Sequence, residues 1–287
     1  MPTAFICVTC GVQQGPTETP PSGCPICLDE RQYVPAPGQR WTSMAGLGQG
    51  HRNGFAAVEH GLLGIGTAPH FAIGQRPLLL RTSAGNVLWD CNSLFDAATH
   101  EIIAALGGVA AIAISHPHFQ GAMIEWAHAF DAPVYIHDAD RAYVMRPDPA
   151  IRFWSGDKCA LPGGVTLINV GGHFEGAAVL HWGEAAEGRG ALLTADVISV
   201  AADPRQVSFL RSFPNYLPLG RRAIERIGAM LAEMPFERIY GGWWHSIVPV
   251  HAKSVLDLSI LRYLDAIEGR YGSPATDPGR IPPPAES

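Results

Sequence analysis

From Phe55 onward the chain alternates short apolar runs with stretches whose apolar residues recur at helical spacing. Runs over Phe55 to Val58, His70 to Ile73, Leu78 to Thr82 and Val87 to Trp89 predict strands, with Ser83-Ala84-Gly85-Asn86 as a turn between the last two. A helix is expected from Ala97 to Leu106, closed by Gly107-Gly108. The wholly apolar run Ala110 to Ile114 then predicts a strand buried on both faces, which the chain leaves through Ser115, His116, Pro117 and His118. Met123, Trp126, Ala127 and Phe130 follow at the spacing of a core-facing helix. Further strands are expected over Pro133 to His137, Val165 to Val170, Ala177 to Trp182, Ala191 to Thr194 and Arg238 to Tyr240. The late helices are Arg221 to Met234 and Ala252 to Glu268. This order predicts an α+β protein with two sheets and helices outside them, not a regular βαβ series.

Composition narrows the picture by exclusion. With 287 residues, 47% of them hydrophobic, the chain can bury one large core or two small ones. A net charge of -6 with 16% charged residues leaves no basic face, which argues against nucleic acid as a partner. No apolar run approaches the roughly 20 residues of a membrane span, and the N-terminus has no leader-like pattern. The expectation is a soluble, cytoplasmic protein with no membrane partner. Its proline-rich end, 273–287, is expected to be disordered.

The cysteines divide into four plus two. Cys7-x-x-Cys10 and Cys24-x-x-Cys27 are two knuckles joined by a segment with no apolar period. Each knuckle presents two thiolates from one tight turn, and two knuckles make the sulfur cage that zinc or iron prefers. Disulfides and a redox pair are the alternatives, and nothing else in the chain points to secretion. This segment resembles a rubredoxin-like zinc ribbon over about the first thirty-five residues. It departs from that pattern at Leu28, where a glycine commonly follows the second knuckle, which leaves zinc or iron open. Val34 to Gly38 reads as a linker, giving a ribbon over 1–36, a main domain over 37–272 and the tail. Cys91 and Cys159 lack partner spacing and are expected to be buried thiols.

Four more residues sit just after predicted strands: Asp90, His173, Asp196 and His245. Singly, each has an ordinary explanation as a cap or a polar loop residue. In the order Asp90, His116-x-His118, His173, Asp196, His245 they resemble the metallo-β-lactamase superfamily, from about Gly54 to about Tyr263. The resemblance implies an αββα sandwich with a metal site at one edge of the sheets. It implies that His116, His118 and His173 hold the first ion, with Asp196 bridging to a second. Where the family continues its second motif with Asp and His, this chain has Gln120 and Gly121. A neutral amide and a missing side chain are poor ligands, so one ion, zinc or iron, is expected in this site.

Zinc held by neutral imidazoles brings its bound water to a pKa of about 7. That chemistry gives the leading expectation, a hydrolase of a small ester, thioester or lactone that uses a metal-bound hydroxide. Asp196 is then a fourth ligand or takes the proton, His245 assists in proton transfer, and Asp90 holds a ligand loop by hydrogen bonds. Phe119, Gln120, Trp154, Trp243 and Trp244 are candidates for the walls of a substrate pocket. Two alternatives stand beside it. His116, His173 and Asp196 are similar to the iron set of persulfide dioxygenases, and a non-catalytic metal-binding protein on a degenerate site is the third reading. The expected partner is a small-molecule substrate, with homo-oligomer formation left open.

Overall fold

A computed structural model describes residues 2–270. The expected proline-rich tail lies outside the described residues. Two sheets face one another. The first has seven strands in the order Arg52–Glu59, Leu62–Ala68, Leu78–Thr82, Gly85–Trp89, Ala111–Ala113, Val134–His137 and Ile151–Trp154. Its first four strands are antiparallel and the rest pair in parallel. The second has six: Lys158–Leu161, Val165–Asn169, Ala178–Trp182, Ala191–Ala195, Arg238–Gly241 and Ile247–Val248.

Side-chain parity assigns each strand's residues to layers. Leu78, Leu80, Val87 and Trp89 meet Leu167, Leu180, Leu193 and Tyr240 between the sheets. The opposite parity, Leu79, Leu88 and Ile112, packs outward on Ile103 of the helix Ala97–Ala105 and on Met123 and Trp126 of the helix Met123–Phe130. On the other side Ile168, Val179, Leu192 and Ile239 pack on the helices Arg221–Leu231 and Ala252–Ile267. The architecture is therefore the αββα sandwich. Asp96 caps the helix Ala97–Ala105 by accepting the Thr99 N–H at 2.8 Å.

Several local expectations are corrected. His70 to Ile73 is not a strand. The strand is Leu62–Ala68, whose glycines dilute the alternation, and the later stretch turns, with the Gly74 N–H bonded to the Phe71 carbonyl. The helix Met44–Gly50 was not expected, because three glycines lower its propensity, but Ser43 caps it. Cys91 is buried as expected, whereas Cys159 is only half-buried, on the edge strand Lys158–Leu161. Trp154 lies in the inter-sheet core against His137, with ring centroids 4.5 Å apart.

The N-terminal ribbon is seated on the end of the sandwich where the strands Gly85–Trp89 and Ala111–Ala113 finish. Ile6–Cys7 pairs with Trp41–Thr42, so the chain leaving the ribbon returns to it. Ser93 Oγ donates to the Gly11 carbonyl, the Gly15 N–H to that of Met145, and Ser212 Oγ to that of Arg31. Among the described residues no helix is long and apolar enough to cross a membrane.

Candidate metal centres

His116 and His118 leave the central strand on the short 3-10 turn Pro117–Phe119, directly above the inter-sheet core. His173 stands in the loop between Val165–Asn169 and Ala178–Trp182, and Asp196 follows Ala191–Ala195. All four residues are buried, at most 4% exposed. Their ligand atoms converge. His116 Nε2 lies 3.1 Å from Asp196 Oδ1, His173 Nε2 lies 3.9 Å from the same oxygen, and His173 Nε2 is 3.3 Å from His118 Nδ1.

The His116–Asp196 approach lacks hydrogen-bond geometry, so both atoms are buried without a hydrogen-bond partner. A tetrahedral ion with bonds of about 2.0–2.1 Å to nitrogen spaces its ligand atoms about 3.3–3.4 Å apart. The donor set fits one divalent ion. Hydrogen bonds orient two of the rings: His116 Nδ1 is 2.9 Å from Ser115 Oγ, and His173 Nδ1 donates to the Leu210 carbonyl at 3.0 Å. Asp90 is buried and accepts the Ser115 N–H at 2.7 Å, which braces the loop carrying His116.

Burial sets the charge states. It holds His116 and His118 well below the ordinary histidine value, aided by His173 and Arg31, and brings His173 down to about 4. The imidazoles are therefore neutral, as metal binding requires. Burial raises Asp196 to about 7 and pushes Asp90 well above the carboxylate range.

The four cysteine sulfurs form the second group. Cys7 Sγ and Cys27 Sγ are 3.6 Å apart, and Cys10 Sγ and Cys24 Sγ 3.7 Å, too far for disulfide bonds. A tetrahedron with metal–sulfur bonds of about 2.3 Å has edges of about 3.8 Å, so this cage also fits one ion. Gln39 Nε2 donates to Cys7 Sγ at 3.0 Å. Hydrogen bonds from the other cysteines hold the Cys7 thiol far below its usual value, while burial raises that of Cys10.

The remaining expected residues scatter around the buried group. Phe119 is fully buried, its ring 4.9 Å from His116 and 5.8 Å from Trp243. Trp243 is half-buried and donates through Nε1 to the Ile73 carbonyl. Gln120 is 1% exposed, with neither amide atom hydrogen-bonded. Gly121 has φ +50°, and a Cβ there would collide with the carbonyl oxygens of Cys91 and Asn92. His245 does not join the cluster. It is exposed on the turn between Arg238–Gly241 and Ile247–Val248, beside the partly exposed Trp244.

Two residues that sequence reasoning passed over complete the site. Phe174 lies 5.7, 5.0 and 5.2 Å from the rings of His116, His118 and His173. Arg31, from the ribbon, places its guanidinium 3.9 Å over the Phe174 ring and pairs with Asp29 at 2.8 Å. Phe174 was readable as the neighbour of His173. Nothing local in Asp29-Glu30-Arg31-Gln32 signals the contact.

Comparison with known proteins bears on the fold. The uncharacterized protein YmaE of Bacillus subtilis (strain 168) is 44% identical over 265 residues, covering 92% of this chain and 96% of its own. The chain belongs to the YmaE family. No family model matches it. This YmaE-family protein has the metallo-β-lactamase fold. It superposes on DIM-1 metallo-β-lactamase with a TM-score of 0.55 at 12% identity, over 75% of this chain and 98% of that one. FIM-1 from Pseudomonas aeruginosa, in its mono-zinc form, gives 0.54 at 14% over 75% and 96%. A metallo-β-lactamase from Hirschia baltica gives 0.51 at 15% over 74% and 97%. At these identities the likeness is one of fold.

Proposed function

We propose that this YmaE-family protein is a metal-dependent hydrolase of a small ester, thioester or lactone, working with one ion held by His116, His118, His173 and Asp196. The observation that carries the reading is the convergence of three neutral imidazoles and one carboxylate, beside a position 121 that admits no side chain. An ion in such a set supplies Lewis acidity and ionises water near neutral pH. The chain's own residues supply the rest. Ser115, braced by Asp90, and the Leu210 carbonyl hold the rings of His116 and His173 in register. Asp196 is the one carboxylate of the group, and its proposed part is to complete the ligand set and take a proton. His245 is outside the cluster and is given only an assisting part in proton exchange at the rim. The FIM-1 neighbour, solved in a mono-zinc form, is in keeping with a single ion.

A second reading is favoured by one contact. Tyr143 packs on the four-cysteine cluster and also meets Phe174 edge-on, with centroids 5.1 Å apart, so one aromatic pair spans the two centres. Were the four-cysteine ion iron, that pair would link it to an oxygenase site of His116, His173 and Asp196 that draws electrons from outside its substrate. One experiment separates the two: metal analysis of the protein as purified, then a panel of esters, thioesters and lactones with zinc-loaded and iron-loaded protein, with and without oxygen. Zinc-supported turnover without oxygen is expected. Turnover confined to iron with oxygen would replace the hydrolase reading, and silence across the panel in metal-loaded protein would favour a binding protein.

A further inference from the structure

Arg76 is 1% exposed, and its Cδ lies against Gly64, which shares the face of its strand with Leu62 of the inter-sheet core. Its Nη2 donates to the Gly241 carbonyl at 2.8 Å, whereas Nε and Nη1 are buried with no hydrogen-bond partner. Among the described residues no carboxylate lies within ion-pair distance of it, in contrast to Arg31, paired with Asp29. Burial lowers its pKa to about 10, which still leaves it charged at neutral pH. A buried cation is ordinarily paired, because desolvation is otherwise uncompensated.

The backbone of Arg76 is tied to the elements that carry the metal centre. The Arg76 N–H donates to the Gly242 carbonyl, and the Gly242 N–H to that of Ala195, the residue before Asp196. Gly242 also lies against Phe119, which touches His116. The Arg76 backbone is thus tied through Gly242 to Ala195 by two hydrogen bonds, and through Gly242 and Phe119 to His116. The partly exposed Trp244 ring stands 5.5 Å from the guanidinium. That ring rests on the backbone of Gly64 and Gly66, where a Cβ would approach it to 2.7 and 2.8 Å. The two glycines give Trp244 its seat.

We propose that Arg76 is the anchor for a carboxylate on the acyl substrate, bound at the inter-sheet rim beneath Trp244. A carboxylate balances the one guanidinium charge and matches its planar donors, whereas a phosphate dianion would leave a charge in excess. The placement as a substrate anchor rests on the hydrolase reading, but the anion site does not.

The test uses full-length, metal-loaded protein titrated with glutarate, and with glutaramide as the neutral counterpart, read by calorimetry and tryptophan emission. Saturable binding of glutarate and not of glutaramide is expected. Arg76→Met should weaken it about tenfold or more at unchanged metal content, and should not lower the melting temperature of the unliganded protein. If the Met variant fails to fold, Arg76→Lys carries the comparison, with weaker binding expected from loss of the planar fork. Equal glutarate affinity in wild type and variant, or none in wild type, overturns the anchor. Glutarate binding without turnover of any ester would leave the anion site and remove the hydrolase. Turnover with the same preference between monomethyl glutarate and methyl butyrate in wild type and variant would keep the hydrolase and remove Arg76 as its substrate anchor.

Discussion

The backbone N–H of Gln13, in the ribbon, donates to the carbonyl oxygen of Gly121 at 3.0 Å. The ribbon thereby grips the loop that carries His116 and His118 at the position where the family resemblance calls for a further histidine. Gln13 also pairs through its side chain with Glu125 and Arg146, so the grip is anchored on the following helix. Ribbon and metal loop form one construction.

Replacing Gln120 by Asp and Gly121 by His together is therefore expected not to create a second metal site. Position 121 has a left-handed backbone and faces two carbonyl oxygens, so a side chain there should destabilise the fold by about 2 kcal/mol or more. Thermal unfolding should show the loss, and metal analysis should give no added equivalent. A stable double variant holding a second ion would refute the steric argument.

Cys24→Ser should remove one equivalent of metal, because the tetrahedral cage loses a corner. The same change should loosen the cover that Gln13 and Arg31 place on the main site. Limited proteolysis is expected to cut within residues 1–35 while the sandwich stays folded. Unchanged metal content would show that the four sulfurs hold no ion.

His116→Ala should abolish hydrolysis through loss of the main-site ion. Asp196→Asn should keep much of the metal, since three imidazoles remain, yet lower the rate by about a hundredfold or more. Metal content and rate measured on the same preparations separate the two effects. Parallel losses of metal and rate in both variants would mean that Asp196 acts as a ligand alone.

Asp140 is buried and accepts the Gly176 N–H at 2.8 Å, and burial raises its pKa to about 7. An unfolded aspartate titrates near 3.9, so from about pH 4 to about pH 7 the folded protein holds the extra proton. This group's contribution to stability falls as pH rises through that window and stays low above it, by roughly 2–4 kcal/mol in all. Asp140→Asn should flatten that slope in denaturant melts of metal-loaded protein, with the gain over wild type largest above pH 7. Parallel pH profiles for the two proteins would show that Asp140 is already ionised in the fold.

The sequence by itself determined the local features of this protein. Apolar parity in Leu78 to Trp89 and the buried run before Ser115 fixed strands and layers, and the cysteine knuckles and His116-x-His118 marked both metal groups, because spacing along a chain records which side chains share a turn or a face. The strand Leu62–Ala68 and the helix Met44–Gly50 escaped because their glycines carry no parity signal. Only the tertiary structure decided the rest. It put Arg31 over Phe174 and Gln13 on Gly121, left Arg76 without a counter-charge among the described residues, and set His245 at the surface. These relations join residues far apart in the chain, and they follow from how the ribbon and the two sheets meet, for which no local spacing carries a record.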